Sequence, residues 1–335
     1  MSFALDAKHE VLKTEIKNDC CAIAYLSAVI KGAGQLSLSA GKHTISIHTD
    51  TPELFDVINK IVKQYYGEEC TLCLAEENIG FKIIKYKITI PSSVSERIMF
   101  DCGILEFDEN NNVTFKNGIS PMIIQEDCCK LAYIKGTFVS CATSNIVIKN
   151  YDNGKSNSGY HLEFVFNFEQ TASDFCKLLE NFDIHAKTTV RKNNPLVYVK
   201  EYQVICDILA LVGANKAVLE LQNEAAIRDL RNNVNRQTNC LNANLNKMVQ
   251  ASVKQLNAIN YIKDNYGLEV LDDNLQELCL IRLANPDEPL DKLRLLYSEP
   301  ISKSGINHRF SKILKIAEEL KEEEQTQEKT EENKK

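Results

Sequence analysis

The chain has 335 residues, 44% of them hydrophobic and 25% charged, with a formal net charge of −7. That length accommodates two or three domains of roughly 100–200 residues, and the balance excludes wholesale disorder, collagen-like repeats and a coiled-coil fibre. No apolar run reaches the roughly 18 residues of a membrane span, and the charged N-terminus, MSFALDAKHEVLKTEIK, is no export signal. A cytoplasmic, non-membrane location is expected, and the 12 cysteines read as thiols. Cys70 and Cys73 form a lone CxxC, but zinc would need two further ligands and no partner pair lies at a familiar spacing. No metal or cofactor is assigned.

The N-terminal two thirds contain an internal repeat. CCAIAYLSAVIKGAGQL (20–36) recurs as CCKLAYIKGTFVSCATS (128–144) at a constant offset of 108. Cys20, Cys21, Ala24 and Tyr25 return as Cys128, Cys129, Ala132 and Tyr133, and Ala28, Gly32 and Ala33 match Gly136, Ser140 and Cys141. HTISIHT (43–49) and YHLEFVF (160–166) alternate as strands do. PELFDVINKIVKQYYG (52–67) and TASDFCKLLENFD (171–183) carry apolar residues at helical spacing. Further strands are predicted at 81–90 and over 186–200, and closing helices near Val94–Gly103 and Glu201–Gly213. Each half therefore reads helix, two strands, helix, two strands, helix, with boundaries near 1–108 and 109–218. The small side chains on the first helix of each half predict close packing of those two helices, backbone against backbone.

This pattern resembles the LAGLIDADG homing-endonuclease fold, in which two such helices cross at a pseudo-twofold axis beneath two sheets that form a saddle over DNA. Leu26 to Gly34 fits the nine-residue motif in register, and Ile134 to Ala142 fits more loosely. The metal-binding aspartate at the motif's eighth position is Ala33 in the first copy and Cys141 in the second; the acid at the sixth position is Lys31 and Val139. Two-metal phosphodiester cleavage needs carboxylates to hold Mg²⁺, so no catalytic residue and no nuclease activity are expected.

From Leu230 to Lys263 the chain has no acidic residue, five basic residues and nine asparagines, without Gly or Pro. One long connecting helix is predicted there, beginning near Glu220 and assigned to 219–259. Arg231, Asn235, Arg236, Asn239 and Lys247 are its candidates for phosphate or partner contact, against the alternative of a merely solvated face. A helix follows over 272–286, then a short amphipathic helix over 290–297 with Leu290, Leu293 and either Leu296 or Tyr297 inward. After a break at Ser298-Glu299-Pro300, ISKSGINHRFSKILKIAEEL (301–320) is a helix with Ser302 as N-cap. Ile306, Phe310, Ile313 and Ala317 share its apolar face; Lys303, Ser304, Asn307, His308, Lys312 and Lys315 lie opposite, with Arg309 close by. Two short helices, a turn, and a basic, polar start to the second make a helix-turn-helix over about 289–321, inside a domain spanning 260–320. Ser302, Lys303, Ser304, Asn307, His308, Arg309 and Lys312 are its candidate contacts with double-stranded DNA; a three-helix protein-interaction module is the alternative. The last 18 residues hold eight glutamates and four lysines, −4 of the net charge, and residues 321–335 are expected to form a disordered charged tail.

A degenerate LAGLIDADG duplication followed by this helix-turn-helix resembles one family, the bacterial WhiA proteins. Arg231-Asn232, Asn235-Arg236, Asn239-Cys240, Ala243-Asn244 and Lys247 match that family's RNxxNRxxNCxxANxxK helix, and Ile301 to Arg309 matches its ISKSGxNHR segment. Tyr160-His161-Leu162-Glu163 and Tyr198-Val199-Lys200-Glu201 resemble its YHLE and YLKE strands. The resemblance implies an α+β fold and a nucleoid-associated, DNA-binding transcriptional regulator linked to cell division, chromosome segregation or sporulation. It leaves open a second regulatory protein bound through the N-terminal domain. An active nuclease and an adaptor with secondary DNA contact are the competing readings.

Overall fold

Where two helices carry glycine and alanine on facing sides, their backbones can meet, and the N-terminal architecture is built on such a contact. The computed structural model describes residues 2–39, 41–78, 83–146 and 159–332. Phe81 and Lys82 of the predicted strand and the last three tail residues lie outside the described residues. The chain divides into two compact units, 1–227 and 228–335.

In the first unit, α1 (Phe3–Leu12) leads into α2 (Asp19–Ala33), β1 (Gly34–Ser39), β2 (Lys42–Thr49), α3 (Leu54–Tyr66), β3 (Thr71–Asn78), β4 (Ile83–Ile90) and α4 (Ser92–Asp101). A short hairpin, β5 (Leu105–Phe107) and β6 (Val113–Phe115), and a 3₁₀ turn at Pro121–Ile124 join the halves. The second half repeats the order as α5 (Asp127–Cys141), β7 (Ala142–Ser144), β8 (Leu162–Val165), α6 (Glu169–Glu180), β9 (Lys187–Arg191), β10 (Asn194–Val199) and α7 (Tyr202–Val212). The first helices start and end 108 residues apart, the offset of the sequence repeat. The sheets are antiparallel and equivalent, in the orders β1-β2-β4-β3 and β7-β8-β10-β9. Strands β1, β3 and β7, helix α1 and the β5–β6 hairpin carried no assignment from the sequence.

Strand alternation sets the two sides of the first sheet. Ile45, Ile47, Ile88 and Ile90 are fully buried toward the helices, and Ile45 pairs with Ile90 and Ile47 with Ile88. The alternate positions are polar: Thr44, Ser46, His48, Lys87 and Thr89, with His48 opposite Lys87. Helices α2 and α5 form the centre of the core, with Leu26, Val29, Ile134 and Val139 at zero exposure. A Cβ at Gly136 would lie 2.6 Å from the Tyr25 carbonyl oxygen and 2.9 Å from the Ala28 methyl. One at Gly32 would lie 2.2 Å from Cys141 Sγ and 2.6 Å from Ser140 Oγ. The small residues aligned by the repeat thus interlock: Ala28 with Gly136, and Gly32 with Ser140 and Cys141.

Helix α8 (Asn215–Asn265) starts five residues before the predicted Glu220 and runs across the division between the units as 51 helical residues. Ala217 and Leu221 belong to the first core, and Ala258, Ile259 and Ile262 to the second. The second unit continues with α9 (Asp273–Ala284), α10 (Leu290–Leu293) and α11 (Lys303–Glu332). Its core is Leu271, Leu275, Leu278, Leu293, Tyr297, Ile306, Phe310, Ile313 and Ala317, packed on the end of α8. The predicted face of 306, 310, 313 and 317 is buried throughout. Of the two candidates in the short amphipathic helix, Tyr297 turns inward and Leu296 is 53% exposed.

The charged tail departs from expectation. Residues 321–332 continue α11 as helix. The cause is local: the segment holds no Gly or Pro, Glu, Lys and Gln are good helix formers, and Lys315 pairs with Glu319 one turn on. Its first turns are also held to α8, by Tyr261 Oη donating to Glu324, Lys321 over the Tyr261 ring and Tyr266 Oη donating to the Leu320 carbonyl.

Candidate nucleic-acid interface

Helix α11 starts because Ser302 caps it: its Oγ accepts from the backbone N–H of Gly305 at 3.0 Å. Ser304 Oγ lies 3.0 Å from the same hydroxyl. With the 306–310–313–317 side anchored in the core, helical geometry turns Lys303, Ser304, Asn307, His308, Ser311 and Lys312 outward, and all six are exposed. Lys303 Nζ lies 2.6 Å from Asp291 of α10 and holds that carboxyl below the usual range. Lys312 Nζ lies 2.8 Å from Asp272, the residue preceding α9. Both are solvent-exposed pairs, weakly held and readily exchanged for a phosphate. Asn307 and His308 project between them.

Arg309 stands apart from this row. Its guanidinium lies over the Tyr297 ring, 4.7 Å from the centroid, and Tyr297 Oη in turn donates to the Asn274 carbonyl of α9. Arg309 joins the start of α11 to the turn before it, and Ser298 fixes that turn by donating from N and Oγ to Glu277 at 2.7 and 2.8 Å. The sequence did not reveal Arg282. Only 2% exposed, it donates to the carbonyls of Asn285, Pro286 and Glu288 and lies 5.3 Å from the Phe310 ring. It ties the α9–α10 turn to the core beneath α11. Arg282→Leu removes those bonds from the partly buried turn; a loss of about 1–3 kcal/mol is expected for the second unit, read by chemical denaturation.

On α8, every residue from 229 to 247 is exposed. Arg231, Asn235 and Asn239 follow one another at four-residue steps along one row, and Arg236 and Lys247 occupy another. Arg236 donates to the Asn232 carbonyl and the Asn233 side chain, which hold it along the helix. Leu230, Val234, Leu241 and Leu245 form a further row, each more than half exposed.

The sequence-predicted degenerate positions sit where the two central helices end. Ala33 closes α2 and Cys141 closes α5. Cys141 is buried against Gly32, and burial pushes its thiol up to about 11. Lys31, in place of the sixth-position acid, is a structural tie: its Nζ donates at 2.7 Å to the carbonyls of both Lys116 and Gly118. Burial, with the charge of Lys116 adding to it, brings this lysine down to about 8, although Cys102, Glu106 and Asp174 oppose the shift. The folded state therefore binds fewer protons than the unfolded one between about pH 8 and 10.5, and this group's contribution to stability rises with pH across that window. The melting-temperature difference between wild type and Lys31→Met is expected to widen in favour of wild type from pH 8 to 10.

Comparison with known proteins shows matches along the same divisions. The models of a WhiA N-terminal LAGLIDADG-like domain, a WhiA LAGLIDADG-like domain and a WhiA C-terminal HTH domain match residues 19–105, 152–231 and 234–317. The "Probable cell division protein WhiA" of Clostridium acetobutylicum is 35% identical over 325 residues, covering 96% of this chain and 99% of the relative. The protein of the same name from Thermoanaerobacter sp. is 33% identical over 324 residues, with coverage of 96% and 99%. The crystal structure of full-length WhiA from T. maritima superposes with a TM-score of 0.56 at 23% identity, over 95% of this chain and 99% of that one. Fold and matches define an α+β protein with a degenerate, duplicated LAGLIDADG-like region and a C-terminal helix-turn-helix. The chain belongs to the WhiA family.

Proposed function

We propose that this protein is a non-catalytic regulator that binds double-stranded DNA through the helix-turn-helix, with α11 entering the major groove. The observation that carries this reading is the exposed row Lys303, Ser304, Asn307, His308 and Lys312 at the start of a helix whose opposite side is locked into a core. Asparagine pairs with adenine edges, lysine with guanine or phosphate, and serine with either; a buttressed helix presents them at fixed spacing. Arg231, Asn235, Arg236, Asn239 and Lys247 on α8 are proposed as phosphate contacts, and Arg309 as the residue that positions α11. The polar open face of the first sheet supports a weaker second DNA contact or a protein partner. The names of the relatives point to a role in cell division; transcriptional regulation, chromosome segregation, a part in sporulation and association with the nucleoid in the cytoplasm belong to the same reading. The absence of enzyme activity rests on Ala33 and Cys141, neither of which offers the hard oxygen ligands that Mg²⁺ requires.

The test is a mobility-shift titration of the full chain at several salt concentrations. If about four to six phosphates are neutralised, the log–log slope is expected near −4 to −5; a slope near zero means that the basic faces are only solvated. A plasmid-cleavage assay with Mg²⁺ or Mn²⁺ separates the nuclease reading, since specific cuts would overturn the assignment.

A further inference from the structure

We propose that Cys20, Cys21, Cys128 and Cys129 form a tetrathiolate site for a soft, tetrahedral divalent cation, zinc foremost, clamping the two halves of the N-terminal unit together. The four residues are the repeated CC dipeptides, brought to one point because α2 and α5 pack side by side in register. Their sulfurs all lie within 4.8 Å of one another, with Cys20 Sγ to Cys128 Sγ and Cys128 Sγ to Cys129 Sγ both at 4.0 Å. A zinc ion with four Zn–S bonds of about 2.3 Å needs sulfurs about 3.8 Å apart, so an inward movement of a few tenths of an ångström to one ångström closes the shell. The CxxC cysteines are not part of this group; Cys73 is exposed on β3 and Cys70 is buried ahead of it.

The surroundings suit a bound dianionic centre. Both cysteine pairs occupy the first turn of a helix, and neither N-cap residue, Asn18 or Glu126, makes a side-chain capping bond. The positive ends of two helix dipoles therefore lie at this end of the site, where they favour thiolate charge, and the first-turn carboxylates Asp19 and Asp127 are engaged by Tyr65 and Lys130. The Asn18 amide already points at Cys128 Sγ, at 3.9 Å. Cys21 and Cys129 are buried and Cys20 and Cys128 exposed, so an ion reaches the site from solvent and is half-enclosed once there. Binding forms four Zn–S bonds and breaks four S–H bonds, and the protons pass to solvent; nothing is oxidised or reduced. The site lies at the far end of two 15-residue helices from Ala33 and Cys141, about 20 Å away along the axis, and is independent of the DNA-binding reading.

The experiment is cobalt titration of the full reduced chain under anaerobic conditions, followed by zinc. Wild type is expected to develop the intense visible d–d bands and thiolate charge-transfer absorption of tetrahedral tetrathiolate cobalt. These should saturate at one ion per chain and vanish as zinc replaces it. Zinc is expected to raise the melting temperature of the first unit and to shield four thiols from a sulfhydryl reagent. Cys20→Ser/Cys128→Ser is expected to lose the spectrum and the zinc-dependent shift, whereas Cys73→Ser/Cys240→Ser, at two exposed cysteines outside the cluster, keeps both. A featureless wild-type titration overturns the proposal without recourse to any variant. So does an undiminished response in Cys20→Ser/Cys128→Ser, or a Cys20–Cys128 disulfide in protein isolated under reducing conditions.

Discussion

Gly136→Leu is expected to destabilise the N-terminal unit by about 3 kcal/mol or more, at the upper end of the usual cost of overpacking. The reason is the identity of the neighbours. The new Cβ would meet a backbone carbonyl, that of Tyr25, at 2.6 Å, and a carbonyl within a packed helix cannot rotate away as a side chain can. Relief requires α2 and α5 to separate, which opens the layer formed by Leu26, Val29, Ile134 and Val139. For a unit of this size the melting temperature falls by roughly 6–12 °C. Gly159→Leu is the control, because nothing lies within 4 Å of its Cβ position, and it is expected to melt as wild type does. Equal melting of the two variants would mean that the central helices do not approach backbone to backbone.

The second large effect concerns binding. Replacing Asn307, His308 and Lys312 together by alanine is expected to weaken specific DNA binding at least a hundredfold, since each good base-edge contact discriminates by about 1–3 kcal/mol. All three side chains are exposed, so the triple variant should keep the wild-type melting curve. Arg309→Ala differs in kind. It removes the stack on Tyr297 and is expected to lower both the stability of the second unit and its affinity. A triple variant that binds DNA as wild type does would remove α11 from the interface.

The duplicated plan was legible because its signal is repetition. The constant offset between Cys20 and Cys128 carried over to helices with matching ends, and Ala28, Gly32 and Gly136 announced a close contact that the structure contains. The buried face of α11 and the Ser302 cap were legible for a local reason: helical periodicity and a hydroxyl one residue before a helix need no tertiary information. Strands β1 and β7 were not, because each continues directly from the last residue of its helix, and helix α1 is a single ten-residue run in which Lys8 shares the buried side with Phe3, Ala7 and Val11. Arg282 carries no signal in the sequence and Arg309 reads there as a DNA contact; only the packed positions of Phe310 and Tyr297 show that both also hold the helix-turn-helix together. The tail's charge density suggests disorder, whereas glutamate, lysine and glutamine without glycine or proline also favour helix. The four clustered cysteines were in plain view as two CC dipeptides, but a search by spacing along the chain passes over ligands that meet only across a pseudo-twofold contact.

The measurement that bears most directly on the central claim is genome-wide DNA occupancy of the tagged full chain beside that of Asn307→Ala/His308→Ala/Lys312→Ala at equal cellular abundance. The wild type is expected to occupy discrete sites sharing a short sequence, with those peaks lost in the variant. Unchanged peaks in the variant, or wild-type occupancy no different from an untagged control, would contradict a function exercised through the start of α11.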